Sequence, residues 1–343
     1  VDADQRARLL AAKLGALVRA QAGEGERTVA AFPGGTALLE GDTGWMLLDA
    51  DPVKAFGPAL VWADRHDLRQ VHLVVDGDAG VVARRAQLFR SPPTVWVVDG
   101  AELAPAVAAP VATFAEPTSA PELAGLLVDA DLEVVVEGGI VRGEVLGLEV
   151  ARIVHGQTTS GTPIDASVLE VGVGEADREL TGMLHGNLPS ATQLTRVIEI
   201  VRQQRRAGAE HHPLNTMAAE RWLRALLVAD PSRLGLERLQ AAPPALPRPN
   251  LRDRAVAMAR GAGADGAPVV VACSIGVDLD LVPAAADARA ALDPEARLLL
   301  VVPERDAHPV TRALAERLAL PAEVVTVGDD WREWGVGSDA PVA

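Results

Sequence analysis

Val71-His72-Leu73-Val74-Val75 is followed by a polar break, then by a stretch of helical character carrying Val82, Arg84 and Arg85, then by the apolar run Val95-Trp96-Val97-Val98. Near the other end Leu298-Leu299-Leu300-Val301-Val302 precedes a polar break, a helical stretch with Val310 and Arg312, and the run Val324-Val325-Thr326-Val327. Short runs rich in β-branched residues, bounded by polar turns and alternating with helical periodicity, are the pattern of strands in a mainly parallel sheet. The spacing is steady: Val75 and Val302, Arg84 and Arg312, Val98 and Val327 lie 227, 228 and 229 residues apart. The expectation is an internal duplication, with one α/β unit used twice and a different module between the copies.

Working outward, residues 36–40 and 45–48 are expected to form a hairpin of two strands about Gly41-Asp42-Thr43-Gly44, followed by a helix over 56–66. Leu9, Leu10, Leu14, Leu17 and Val18 recur at helical spacing before it, an amphipathic helix rather than a secretion signal. The stretch 80–89 is expected to be helical, and the Ala- and Pro-rich stretch 104–121 has no period and reads as a crossing or linker. In the middle, 132–137, 143–154 and 167–173 have strand character, and 175–184, 191–206 and 214–227 helical character. A proline-rich boundary at 243–249 leads to an expected helix at 251–260, a strand at 269–273 and a helix at 284–292. The division is an N-terminal α/β lobe at 1–121, a β-then-α module at 122–242 and a second α/β lobe at 250–334.

Composition limits function. A chain of 343 residues with 49% hydrophobic content supports two or three packed domains and argues against global disorder. No apolar run approaches the roughly 20 residues needed to span a bilayer, so no membrane partner is expected. Cys273 is the single cysteine, which fits a reducing interior, and the protein reads as soluble and cytoplasmic. Lys13 and Lys54 are the only lysines, there is no tyrosine, and the arginine abundance resembles a codon bias rather than a recognition surface. A net charge of −15 argues against extended nucleic acid as a partner. The charge is uneven: residues 1–150 carry a net −10 and residues 151–250 a net +1.

Three groups of residues have the chemistry of a site. Asp49-Ala50-Asp51 and Asp278-Leu279-Asp280 each follow a strand and precede a helix; paired carboxylates suit Mg²⁺, although aspartates there also cap helices. In the middle module, Glu170, Asp177, Glu179 and His185 bracket a strand end and a helix start. Carboxylates with a histidine could perform acid–base catalysis, with Asp177 and Glu179 holding a divalent metal. The same acidic residues are ordinary in a first helical turn. The third group is Arg205, Arg206, His212, Asn215 and Arg221 at a helix–loop–helix junction. Between Thr192 and Arg224 there are six arginines and three glutamates, so this junction is a candidate anion site. A solvated helix face is the plainer alternative. The chain lacks a Gly-x-Gly-x-x-Gly fingerprint, a P-loop, a nucleophile elbow and a Cys-x-x-Cys pair.

The order hairpin, helix, strand, helix, strand over roughly 36–98 resembles the core of restriction-endonuclease-like proteins. That resemblance implies a metal-dependent phosphodiesterase fold. Such enzymes carry a Glu-x-Lys after the first catalytic aspartate, and neither Lys13 nor Lys54 has an acidic residue two positions before it. The usual catalytic apparatus of that family is therefore absent. The leading expectation is a binding or regulatory protein with a small anionic ligand or protein partner. A metal-dependent hydrolase or phosphodiesterase, with Mg²⁺ as cofactor, and a purely structural partner-binding protein are the alternatives.

Overall fold

A computed structural model describes residues 3–117, 120–157, 163–175, 177–178, 191–248, 250–251 and 253–335. The chain is mixed α/β, with three sheets and, among the described residues, nine α-helices. It divides into two compact units. One comprises Val1–Val111, Val277–Ala290 and His308–Val324; the other comprises Ala112–Gly276, Ala291–Ala307 and Val325–Ala343.

The first unit is built on a six-stranded sheet in sequential order: β1 Thr28–Phe32, β2 Gly35–Glu40, β3 Thr43–Leu48, β4 Gln70–Val75, β5 Thr94–Asp99 and β6 Glu102–Pro105. The β3–β4 and β4–β5 pairs are parallel and the others antiparallel. Helix α1, Ala3–Ala22, lays Leu14, Leu17 and Val18 on Leu38, Trp45, Leu47 and Val74, because alternate strand residues share a face. Helix α2, Pro52–Arg65, packs on β3, and α3, Ala79–Ala86, packs on β5. Asp51 caps α2 by accepting from the Lys54 amide, with Pro52 at the first helical position, where its missing N–H is no loss. The same unit includes most of α8, Leu281–Leu292, and all of α9, Pro309–Glu316, which packs on α2.

The second unit holds an antiparallel meander and a mixed five-stranded sheet. The meander is β7 Glu133–Glu137, β8 Ile140–Val145, β9 Leu148–Gln157 and β10 Pro163–Val171. Its core forms against α4, Pro121–Asp129, and α5, Ala191–Gln204. The five-stranded sheet runs β11 Leu236–Ala242, β12 Ala257–Gly263, β13 Pro268–Cys273, β14 Arg297–Pro303 and β15 Glu323–Val327, with β13 and β14 parallel. One face, with Ala259, Val269, Val271 and Val301, is covered by Trp222, Leu223 and Leu227 of α7, Ala219–Ala229.

Several expectations are corrected. Among the described residues of 251–260 there is no helix: β12 begins at Ala257 and pairs with both neighbours, so sheet pairing overrides the helical propensity of its alanines. The stretch 214–227 is two elements, α6 Pro213–Thr216 and α7, separated at Ala218, whose φ of 47° interrupts the helix. The stretch 143–154 is likewise broken. Leu146 and Gly147, both at positive φ, make the two-residue turn that pairs Val145 with Leu148. Strands β1 and β11 have no forecast, and β6, which follows a turn at Gly100, runs into the start of the expected linker. Among the described residues no helix is long and apolar enough to cross a membrane.

Candidate functional site

The arginines of α7 point inward. Arg221 donates through Nη2 to both carboxylate oxygens of Glu137 at 2.6 Å and through Nη1 to Glu144; Arg224 donates to the other oxygen of Glu144 and sits 3.5 Å from Glu133. Glu137 and Glu144 come from β7 and β8, so the β-hairpin and the helix are joined by a buried ion network. Burial by itself would raise the Glu144 carboxyl, but Arg221 and Arg224 outweigh it and hold the group at about 2. At Glu133 the balance is reversed: burial wins over Arg224 and raises the carboxyl. Arg205, also enclosed, donates to the backbone carbonyls of Leu214 at 2.9 Å, Leu146 at 2.6 Å and Met217.

These contacts decide how much of the expected anion junction is available. Arg205 and Arg221 have their donors committed to carbonyls and carboxylates, and both are buried. His212 caps α6 by accepting from the Leu214 amide at 3.2 Å. Asn215 donates to the Glu210 carbonyl at 3.0 Å. Arg206 is exposed, and the neighbouring Gly208 amide donates to the Glu333 carboxylate. The structure therefore does not gather the five residues around one open space.

Of the expected acid–base group, Glu170 and Asp177 are described, and each is engaged by a partner of another kind. Glu170 accepts from Arg152 across the β9–β10 pair at 2.7 Å and lies 3.7 Å from Arg178. Asp177 accepts from the Val173 amide at 2.8 Å. Glu179 and His185 lie outside the described residues. Among the described residues no group of three or more histidine, cysteine or acidic side chains is placed to hold a metal. Cys273 is wholly buried, and burial pushes its thiol up to about 12, far from a nucleophile's range.

The two Asp-x-Asp steps do share a neighbourhood, within the first unit. Arg85 donates to Asp280 at 2.6 Å, and Arg84 grips Asp287 with two bonds of 2.8 and 2.9 Å. Burial raises the Asp280 carboxyl to about 7; Arg85 opposes that, while Asp278 and Asp51 reinforce it. Asp51 and Asp278 each also hold a backbone amide at a helix start. This is a capped and cross-braced helix layer.

A concave site in the second unit carries arginines with no carboxylate partner among the described residues. A cavity of about 330 Å³ lies in the second unit, against β11, β12 and β13 and beside the turn that follows α8. Arg238, Gln240 and Arg260 line one side. Pro268 and Leu292 supply apolar lining, with Asp293 among the lining residues. Gln240 and Arg260 are cross-strand partners, and with its amide correctly oriented Gln240 accepts from Arg260 at 2.8 and 3.2 Å. Among the described residues no carboxylate forms an ion pair with Arg238 or Arg260. Pairing β11 with β12 sets these polar groups beside each other, since residues opposite one another across strands are neighbours on one face. Sequence reading misses this group because β11 has no forecast and the residues up to Arg260 are expected to be helical; the alternation Arg238, Leu239, Gln240 is the available signal.

Compared with known proteins, the chain matches no family model, no curated protein and no solved structure.

Proposed function

We propose that this protein is a binding protein for a small anionic ligand, held in the cavity lined by Arg238, Gln240 and Arg260. The observation that carries this reading is a contrast. The buried arginines of α7 are matched by carboxylates, whereas Arg238 and Arg260 face a cavity and have no acidic partner among the described residues. The cavity's size lies at the lower end of ordinary ligand pockets, and its mix of apolar wall with a few polar groups is the usual one. Guanidinium groups are well suited to carboxylate or phosphate, which they engage through paired donors. In a chain of net charge −15, a compact anion is a better match than a polyanion, whose remaining charges would meet repulsion.

A metal-dependent hydrolase has less support. Glu170 is bound to arginine, and Asp177 is engaged by a backbone amide. We also read the two mixed sheets as copies of one ancestral unit. In each, two antiparallel pairs are followed by a parallel one, β4 and β14 begin at Gln70 and Arg297, and the helices that follow begin at Ala79 and Pro309. The nuclease-like reading of the first sheet rests on element order alone. Fold similarity of that kind carries no activity.

Calorimetry tests the proposal. Small carboxylates or phosphates bind the intact protein, and Arg238→Ala with Arg260→Ala abolishes the heat without lowering thermal stability. Unchanged binding in that variant would place the ligand elsewhere.

A further inference from the structure

We infer that the ligand is a zwitterion with an apolar body, an amino acid with a hydrocarbon or aromatic side chain. The inference deepens the anion-binding reading and rests on it. Three kinds of chemistry line the one cavity: two guanidiniums, an apolar wall and one carboxylate.

Arg238 and Arg260 offer donors to a carboxylate, and Gln240 fixes Arg260 by accepting from it, which leaves the arginine less freedom to lose on binding. Pro268 and Leu292 cannot hydrogen-bond through their side chains, so what they contact in the ligand must be apolar to avoid a desolvation cost. Asp293 adds a selection that a simple anion does not satisfy. Its Oδ1 accepts from the Glu295 amide at 3.2 Å, which orients the side chain. A carboxylate on the lining opposes a second negative charge and favours a donor, as an ammonium group provides. A dianion such as phosphate meets the arginines but also meets Asp293. An apolar amino acid presents a carboxylate, an ammonium and a hydrocarbon body, matching all three parts of the lining.

The test uses the full chain and calorimetric titration with four compounds: L-phenylalanine, 3-phenylpropanoate, phenethylamine and inorganic phosphate. L-phenylalanine is expected to bind at least about tenfold more tightly than the other three, which corresponds to about 1.4 kcal/mol. Asp293→Asn keeps an oxygen for the Glu295 amide and removes the charge. In that variant the advantage of L-phenylalanine over 3-phenylpropanoate is expected to disappear, while 3-phenylpropanoate binds as well as before or better. Arg238→Ala with Arg260→Ala is expected to abolish binding of both acids, with circular dichroism confirming the fold. Equal binding of 3-phenylpropanoate and L-phenylalanine by the native protein, or tighter binding of phosphate, would overturn the zwitterion and leave the anion site standing. Phenethylamine binding as tightly as L-phenylalanine would overturn it too. Absence of binding by all four compounds would overturn both readings.

Discussion

At the residue scale, two carboxylates illustrate opposite outcomes of burial. Glu144 lies between Arg221 and Arg224 and is held at about 2, below its ordinary 4.5. Its contribution to stability is complete above about pH 4.5 and is lost as pH falls from there toward 2, because the unfolded chain takes up the proton first. Asp280 is raised from 3.8 to about 7. In the window between those values the folded state keeps a proton that the unfolded chain has released, so this group lowers stability as pH rises from about 4 to about 7. Urea titrations across pH separate the two: Glu144→Gln is expected to flatten the acid limb, and Asp280→Asn to remove the decline toward neutrality. Glu144→Gln also leaves two buried guanidiniums short of a counter-charge, so a loss of about 3–5 kcal/mol at pH 7 is expected. A loss below about 1 kcal/mol would mean the network relaxes or admits water. The sequence displayed these arginines plainly but not the glutamates facing them, which lie 77 to 84 positions away and are set there by folding.

At the element scale, what was legible followed from local pattern. The runs that became β4, β5, β13, β14 and β15 are apolar, bounded by polar turns, and need no distant partner to be recognised. Strand β12, by contrast, is rich in alanine and becomes a strand because β11 and β13 pair with it on both sides. That error hid Arg260, and with it the cavity. The turn between β8 and β9 depends on a different constraint. Gly147 has a φ of 75°, and a Cβ at that position would collide with the Arg221 backbone. Gly147→Ala therefore combines backbone strain of about 1–3 kcal/mol with a clash against the helix that carries the ion network. Thermal denaturation is expected to show a strongly destabilised variant, more so than for Gly138→Ala, where φ is 58° but no atom lies near the added methyl. Equal effects would assign the cost to φ alone.

At the scale of the whole molecule, the compact units are assembled from separated stretches of chain. A reading that moves along the sequence sees α8 and α9 beside the strands that flank them. In the fold they belong largely to the unit built on the first sheet, where Asp280 and Asp287 meet Arg85 and Arg84 and where Arg317 donates to Asp64. Residues 1–117 alone consequently lack both counter-charges of α3. Arg84 and Arg85, each less than a tenth exposed in the full chain, would either drag water into the layer or expose the apolar surface around Val82 and Phe56. The expectation is that a fragment of residues 1–117 shows no cooperative urea transition. The full-length Asp287→Asn variant should fold but lose about 3–5 kcal/mol, the usual cost of removing one partner from a buried pair. Circular dichroism during denaturation checks both. A fragment that unfolds cooperatively with near-native stability would show that the six-stranded sheet with its own three helices is sufficient, and that the Arg84–Asp287 pair is dispensable to it.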